Sequence, residues 1–122
     1  MDWRALYRER LTTAQEAVKL IGPRGRVALG HAAGEPAALV AAMVANRAAY
    51  AGLEIVHMVS LGRAAYAQRG MEGSFRHNAL FVGPRTREAV REGRADFTPC
   101  FFHEIPELFS TALPLDAALV GE

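Results

Sequence analysis

The apolar positions of the chain follow two alternating spacings, which predicts strands interleaved with helices. Short apolar runs of the strand type lie at 26–30, 54–60, 78–82, 96–102 and 116–120. Strands that are apolar on both faces and separated by helices are typical of a parallel sheet covered on each side. We therefore predict an α/β fold, an open and mainly parallel sheet with helices on both faces, in a single domain over residues 1–122.

Caps and helix breakers mark where the predicted helices begin and end. Thr13 and Glu16 form a capping box, and Gly22-Pro23 ends the helix that it opens. Pro36 suits the first position of a long Ala-rich helix, because the φ of proline is already helical. The remaining predictions are a helix from Trp3 to Arg10, an end of the Ala-rich helix near Tyr50, an irregular or partly helical stretch at 63–75, and short helices near 86–93 and 105–110.

Composition places the chain among ordinary globular proteins and excludes several classes. Hydrophobic residues make up 51% and charged residues 22%, and the net charge of +1 gives no reason to expect a nucleic-acid partner. No apolar run reaches the ~20 residues of a membrane span, and the N-terminus lacks the plan of a secretory signal. Cys100 is the single cysteine, which favours a reducing compartment and predicts a cytoplasmic protein.

The turn at 30–36 is the best local candidate for a binding site. It joins a strand to a helix and contains Gly30, His31, Gly34 and Glu35. Backbone amides and the helix dipole at such a turn can hold a carboxylate, a phosphate or a thioester oxygen. The spacing alone favours a strand-to-helix connection in which the glycines only permit the turn and bind nothing. The glycines match neither the dinucleotide fingerprint nor a P-loop.

Each of the other candidate groups has a structural interpretation beside the functional one. Glu35 is either a general base or nucleophile at the start of a helix or, more simply, a helix cap. His57 reads as a hydrogen-bonded core histidine, and Cys100 as a buried, inert thiol. Ser60, beside Gly62, follows a strand and lacks the nucleophile elbow of a serine hydrolase.

The remaining polar residues with a possible function are a His-Glu pair, the histidines taken together, and a run of arginines and glutamates. His103 and Glu104 follow two phenylalanines and are possible polar residues of a cleft. The four histidines lack metal-ligand spacing, so no metal site is predicted. Arg85, Arg87, Arg91 and Arg94 alternate with Glu88 and Glu92, which favours a solvated helix face over an anion-binding patch.

Several short motifs, taken in order, resemble one known family. They are MDW with Tyr7, TAQEAV, the pair of Gly30-His31 and Glu35-Pro36, VHMVSLG, FVGPRTR, Glu92-Gly93 and PCFFHEIP. This series resembles the N-terminal part of the acetyl-CoA hydrolase/transferase family, and within it the 4-hydroxybutyrate (butyrate/acetate) CoA-transferases. The resemblance covers the whole chain.

The resemblance implies a ping-pong transfer of CoA from an acyl-CoA to a short-chain carboxylate such as acetate, butyrate or 4-hydroxybutyrate. The CoA thioester is then a substrate, and no cofactor is bound. The nucleophile is a glutamate in the C-terminal half of the family's enzymes, so no catalytic residue is assigned to this chain. The implied substrate-binding residues are Gly30, His31, Gly34, Glu35, Ser60, Gly62, His103 and Glu104.

The end of the chain bears on what this polypeptide does alone. The last predicted strand leads directly into Gly121-Glu122, whereas ligands of parallel α/β sheets lie beyond the carboxyl ends of the strands. We therefore expect a fragment that is inactive alone and needs a C-terminal half or a partner chain. The resemblance further implies that the full-length enzyme forms homo-oligomers. The alternative is a non-catalytic binding or interaction module that keeps the same scaffold.

Overall fold

The computed structural model contains a five-stranded sheet and describes residues 1–121; Glu122, the last residue of the predicted domain, lies outside the described residues. The strands are β1 (Arg26–Leu29), β2 (Leu53–His57), β3 (Phe75–Ala79), β4 (Ala95–Phe97) and β5 (Ala117–Leu119). Their order is β4-β3-β2-β1-β5, and every neighbouring pair is parallel. The predicted α/β class with a parallel sheet is confirmed.

Short helices fill the connections between these strands. The α-helices are α1 (Trp3–Arg10), α2 (Ala14–Ala17), α3 (Ala37–Ala45), α4 (Arg87–Arg91) and α5 (Ile105–Ser110). Single 3₁₀ turns lie at Val18–Leu20, Ala32–Gly34, Arg47–Ala49, Ala65–Ala67 and Phe102–Glu104. Among residues 1–121, no helix is long and apolar enough to cross a membrane.

The sheet buries a different cluster on each of its faces. Because side chains alternate along a strand, Leu53 and Ile55 face the larger cluster, whereas Val56 faces the smaller one. Residues of α2, α3 and α4 pack into the larger cluster. The smaller cluster lies under α5, which contributes Ile105, Leu108 and Phe109. The predicted helices on both faces are therefore present.

Two predicted strands are misplaced, and each error has a physical reason. The third strand spans Phe75–Ala79 rather than 78–82, because His77 is a buried polar residue whose partner, the Ile55 carbonyl, lies on β2. The fourth strand ends at Phe97 instead of Phe102. Beyond it the chain leaves the sheet edge to reach α5.

The observed start and end of α3 also differ from the predicted ones. Pro36 directly precedes α3 rather than occupying its first position, and α3 ends at Ala45, with a 3₁₀ turn before Tyr50. Only half of the predicted capping box forms: the Thr13 hydroxyl accepts from the Glu16 amide at 3.2 Å, while the Glu16 carboxylate pairs with Lys19.

The arginines and glutamates near α4 form ion pairs at the protein surface, and the Arg69 side chain is the most exposed of them. Arg69 contacts both Glu88 and Glu92, and Arg94 contacts Glu92. Hydrogen bonds from Arg69 and Arg94 lower the pKa of Glu92 to about 2. The solvated-face interpretation of this region is therefore favoured over an anion-binding patch.

Candidate functional site

The turn after β1 and the loop after β2 meet at the carboxyl edge of the sheet. The Ala32 amide donates to the Val59 carbonyl at 2.8 Å, and the Gly62 amide donates to the Glu35 carboxylate at 3.1 Å. The end of β5 closes on the same turn, since the Gly30 amide donates to Leu119 at 2.8 Å. Parallel strands carry their ligand-binding loops at this edge.

Glu35 joins two loops and does not cap a helix. α3 has no side-chain cap, so the cap interpretation of Glu35 is wrong. The carboxylate instead accepts from the Gly62 amide, and a Cβ built on Gly62 would lie 2.5 Å from a Glu35 oxygen. The glycine therefore allows the two loops to approach closely.

The amides of the 30–36 turn are largely engaged inside the protein. Those of Gly30 and Ala32 bond across to neighbouring strand ends, and those of Gly34 and Glu35 close the 3₁₀ turn on His31 and Ala32. An anion-binding cradle made of these amides, which the sequence suggested, does not fit this arrangement. Any carboxylate at this edge has to be recognised mainly by side chains.

A buried hydrogen-bonded chain lies under the turn. His57, at the end of β2, contacts the Gly30 carbonyl through Nε2 at 3.2 Å and the Tyr66 hydroxyl through Nδ1 at 2.6 Å. Because a carbonyl only accepts, Nε2 carries the proton and the Tyr66 hydroxyl donates to Nδ1. The interpretation of His57 as a hydrogen-bonded core histidine agrees with this geometry.

Burial sets the protonation of this chain. Burial is the main cause that lowers the pKa of His57, and it raises the pKa of Tyr66. Both side chains are therefore neutral near pH 7, as the hydrogen-bond directions require. The Ser60 hydroxyl lies beside Tyr66 and partly offsets the rise in the pKa of Tyr66. The Ser60 oxygen is itself buried, and no partner lies in hydrogen-bond geometry to it.

Two alanines in these loops adopt left-handed backbone angles. Ala32 has φ of 54° and Ala64 has φ of 46°, a region that L-residues other than glycine rarely occupy. One follows β1 and the other follows β2, so strain is concentrated in the two loops that meet at the edge. Backbone strain of this kind tends to collect at functional sites.

His31 and the segment before α5 face each other across a cavity. The ring of the exposed His31 lies 6.0 Å from that of Phe102, between centroids. Next to them, a cavity of about 250 Å³ opens between the ends of β1 to β3 and α5. A second cavity of about 280 Å³ lies on the α3 side and is lined by Glu35, Gly62 and Arg63.

The predicted site residues are brought together only in part. Gly30, His31, Gly34, Glu35, Ser60 and Gly62 all lie in the two joined loops. His103 and Glu104 belong to the 3₁₀ turn before α5, where His103 stacks on Phe101 and the Glu104 carboxylate accepts from the Phe101 amide at 2.7 Å. Both are therefore engaged within their own segment, one and two residues beyond the Phe102 that faces His31.

Sequence reasoning missed two residues and misjudged a third. Tyr66 lies in the stretch predicted as irregular or partly helical, and no local pattern reveals that it reaches His57. Phe102 was expected in a strand, yet its ring faces His31. Cys100 is half-buried rather than buried; burial and the Glu104 charge raise its pKa, which keeps the thiol protonated. Within residues 1–121, no group of histidine, cysteine and carboxylate side chains is placed to hold a metal ion.

Tyr66→Phe is expected to lower the free energy of unfolding by about 1–3 kcal/mol, because Nδ1 of His57 is left buried without a donor. Urea unfolding followed by circular dichroism measures this. Tyr50→Phe is the matched control, since it also removes a buried tyrosine hydroxyl bond but lies outside the loops. The population of the Nε2–H tautomer of His57, measured from the ring ¹⁵N shifts, should fall only in Tyr66→Phe. Equal changes of these ¹⁵N shifts in both variants would contradict the hydrogen-bonded chain.

The sequence of this chain is similar to those of known proteins of one family. Residues 1–120 match the sequence model of the acetyl-CoA hydrolase/transferase N-terminal domain. The chain is 54% identical over 121 residues, 98% of its length, to the 4-hydroxybutyrate coenzyme A transferase of Clostridium kluyveri, of which it covers 28%. It is 31% identical over 92% of its length to a succinyl-CoA:cyclohexane-1-carboxylate CoA transferase of Geobacter metallireducens, of which it covers 25%.

A solved structure shows the same architecture. The crystal structure of RipA from Yersinia pestis superposes with a TM-score of 0.87 over 98% of this chain and 30% of that one, at 27% identity. The chain thus spans less than a third of the length of the proteins that it matches here.

Proposed function

Since the chain belongs to the acetyl-CoA hydrolase/transferase family, we propose that it forms an N-terminal part of a CoA-transferase. That enzyme moves CoA between an acyl-CoA and a short-chain carboxylate of the acetate, butyrate or 4-hydroxybutyrate type. The observation that carries the proposal is the match over residues 1–120, together with 54% identity to a 4-hydroxybutyrate coenzyme A transferase.

The loops at the carboxyl edge form the substrate-facing surface in this proposal. Its residues are Gly30, His31, Gly34, Glu35, Ser60 and Gly62, with His103 and Glu104 on the adjoining segment. His31 is exposed beside the apolar cavity and can donate to a carboxylate or thioester oxygen there. The buried Tyr66–His57 pair holds the Gly30 carbonyl and so fixes the turn from below.

No side chain of this chain is proposed as the nucleophile. A carboxylate that forms an anhydride needs an enclosed site with preorganised donors for the oxyanion. Glu35 already accepts from the Gly62 amide, and most amides of the turn are engaged. The reacting groups are therefore supplied by the remainder of a longer enzyme or by a partner chain, and the CoA thioester is a substrate.

An exchange of segments between two enzymes tests this proposal. The 122-residue chain alone is expected to show negligible transfer of CoA from butyryl-CoA to acetate. A chimera in which it replaces the matching 121 residues of the Clostridium kluyveri enzyme is expected to be active. Product butyrate and acetyl-CoA are followed by chromatography.

Control proteins make each outcome of that exchange decisive. The parent Clostridium kluyveri enzyme sets the reference rate, and gel filtration with circular dichroism confirms that the chimera is folded. A folded but inactive chimera would contradict the proposal and favour a non-catalytic module. Transfer by the chain alone at the rate of the chimera would overturn the view that the reacting groups lie elsewhere.

A further inference from the structure

Gly30, the first residue of the turn after β1, is held on one side by the backbone and on the other by a side chain. Towards β5, its amide donates to the Leu119 carbonyl at 2.8 Å. Towards β2, the backbone pairing ends at Ala28 and Val56. Beyond that point Nε2 of His57 donates to the Gly30 carbonyl at 3.2 Å. A side-chain hydrogen bond therefore continues the sheet at the place where the turn begins.

His57 is held in the state that this bond requires. Only a ring with its proton on Nε2 donates to the Gly30 carbonyl, and the Tyr66 hydroxyl stabilises that tautomer by donating to Nδ1 at 2.6 Å. His57 and Tyr66 are each 1% exposed, so water has little access to these bonds. The hold on Gly30 is therefore maintained by groups that lie outside the turn.

The turn stores backbone strain next to the exposed His31. Ala32 has φ of 54°, and such an angle persists only where the surrounding structure enforces it. The Ala32 amide is fixed by the Val59 carbonyl at 2.8 Å, and Gly30 by His57. His31 lies between these two attachments, so release of either one allows the strained backbone to relax and moves the His31 ring.

We propose that His57 is a positioning residue of CoA transfer, which sets the rate of the reaction by holding the Gly30 carbonyl and thereby the place of His31 at the carboxyl edge. The inference rests on the proposed function and deepens it, because it assigns control of the rate to a buried residue that does not touch the substrate. Tyr66 acts through His57. A misplacement of about 1 Å in a group that orients the substrate lowers the rate about 100-fold, so loss of this bond should be visible in kcat.

Substitutions of His57 in the chimera test this role. His57→Leu removes the donor and is expected to lower kcat for transfer from butyryl-CoA to acetate at least about tenfold. The KM values should stay within about twofold, because orientation of the reacting groups matters mainly in the transition state. His57→Gln keeps an N–H near the position of Nε2 and should restore kcat to within about threefold of the parent. Tyr66→Phe should give an intermediate kcat.

His77→Leu is the matched control for a loss of stability alone. His77 is also a buried histidine bonded to a backbone carbonyl, that of Ile55 at 3.0 Å, but it lies within β3 and away from the loops. At a temperature where circular dichroism shows every variant to be folded, His77→Leu should keep kcat within about twofold of the parent. Equal kcat in His57→Leu and His77→Leu would leave the proposed function standing and overturn the positioning role.

Hydrogen exchange in the 122-residue chain tests the hold on the turn without the chimera. The amides of Gly30, Ala32 and Gly34 are all hydrogen-bonded. His57→Leu is expected to raise their exchange rates at least about tenfold more than those of the strand amides, whereas His57→Gln and His77→Leu should not single them out. Exchange that rises evenly along the chain in His57→Leu would overturn the inference. Selective exchange at the turn beside a folded but inactive chimera would contradict the proposed function and leave the hold on the turn standing.

Discussion

Lowering the pH from 7 to 4 is expected to remove about 3 kcal/mol from the free energy of unfolding through His77 alone. Its side chain is 2% exposed, and burial lowers its pKa from 6.5 to about 4, although Nδ1 bonds to the Ile55 carbonyl at 3.0 Å. Below pH 6.5 the unfolded chain binds a proton that the folded chain excludes. Stability is therefore complete above pH 6.5 and is lost as the pH falls towards 4.

Urea unfolding at pH 7 and at pH 4 measures this loss, and two variants isolate the contribution of His77. His77→Gln removes the titrating ring, so the difference between the two pH values should shrink by about 3 kcal/mol. His103→Gln, which also replaces a histidine but at an exposed position, is the matched control variant. His57, whose pKa is also lowered, adds a loss in the same direction in every protein compared. Identical pH dependence in His77→Gln and the parent would contradict the assignment.

Gly30→Ala is expected to lower the free energy of unfolding by about 1–3 kcal/mol. A Cβ at this position would lie 2.6 Å from the Gly34 carbonyl oxygen, so the backbone of the turn has to move. Gly30 also bonds to Leu119 through its amide and to His57 through its carbonyl, and such a movement strains both bonds. We expect the variant to weaken CoA transfer in the chimera as well, because the turn lines the proposed site.

Gly34→Ala is the matched control for this effect. It lies in the same turn, yet a Cβ there meets no atom within 4 Å. Its stability should stay within about 0.5 kcal/mol of the parent, or rise slightly as the unfolded chain loses freedom. Urea unfolding of both variants distinguishes the two positions. Equal stability of Gly30→Ala and Gly34→Ala would show that a Cβ at position 30 fits beside the Gly34 carbonyl without a cost in stability.

The fold class was predictable because it depends on periodicity, which is local in the sequence. The pattern located all five strands, but it started the third three residues late and extended the fourth five residues too far. His77 was left outside the predicted strand, because its partner, the Ile55 carbonyl, lies 22 residues away in the sequence on β2. Burial of a polar side chain is favourable only where a partner exists, and a neighbouring strand supplies that partner.

The candidate site divides along the same line. Its glycines, His31 and Glu35 stand out as a strand-to-helix turn, and the ordered motifs pointed to the family that the chain matches. The interpretation of Glu35 as a helix cap was wrong, although an acidic residue beside the start of a helix is typically a cap. Its actual partner is the Gly62 amide, 27 residues away.

The sequence by itself determined an α/β sheet, the family and the segment around Gly30 as the place to look. Only the tertiary structure decided how that segment is held: the Tyr66–His57 pair beneath it, the contact between Glu35 and Gly62, and the cavity between β1 to β3 and α5. The physical reason is that periodicity and turn chemistry are set by neighbours in the chain. Hydrogen bonds and cavities are set by side chains that only the packing of separate strands and helices brings together.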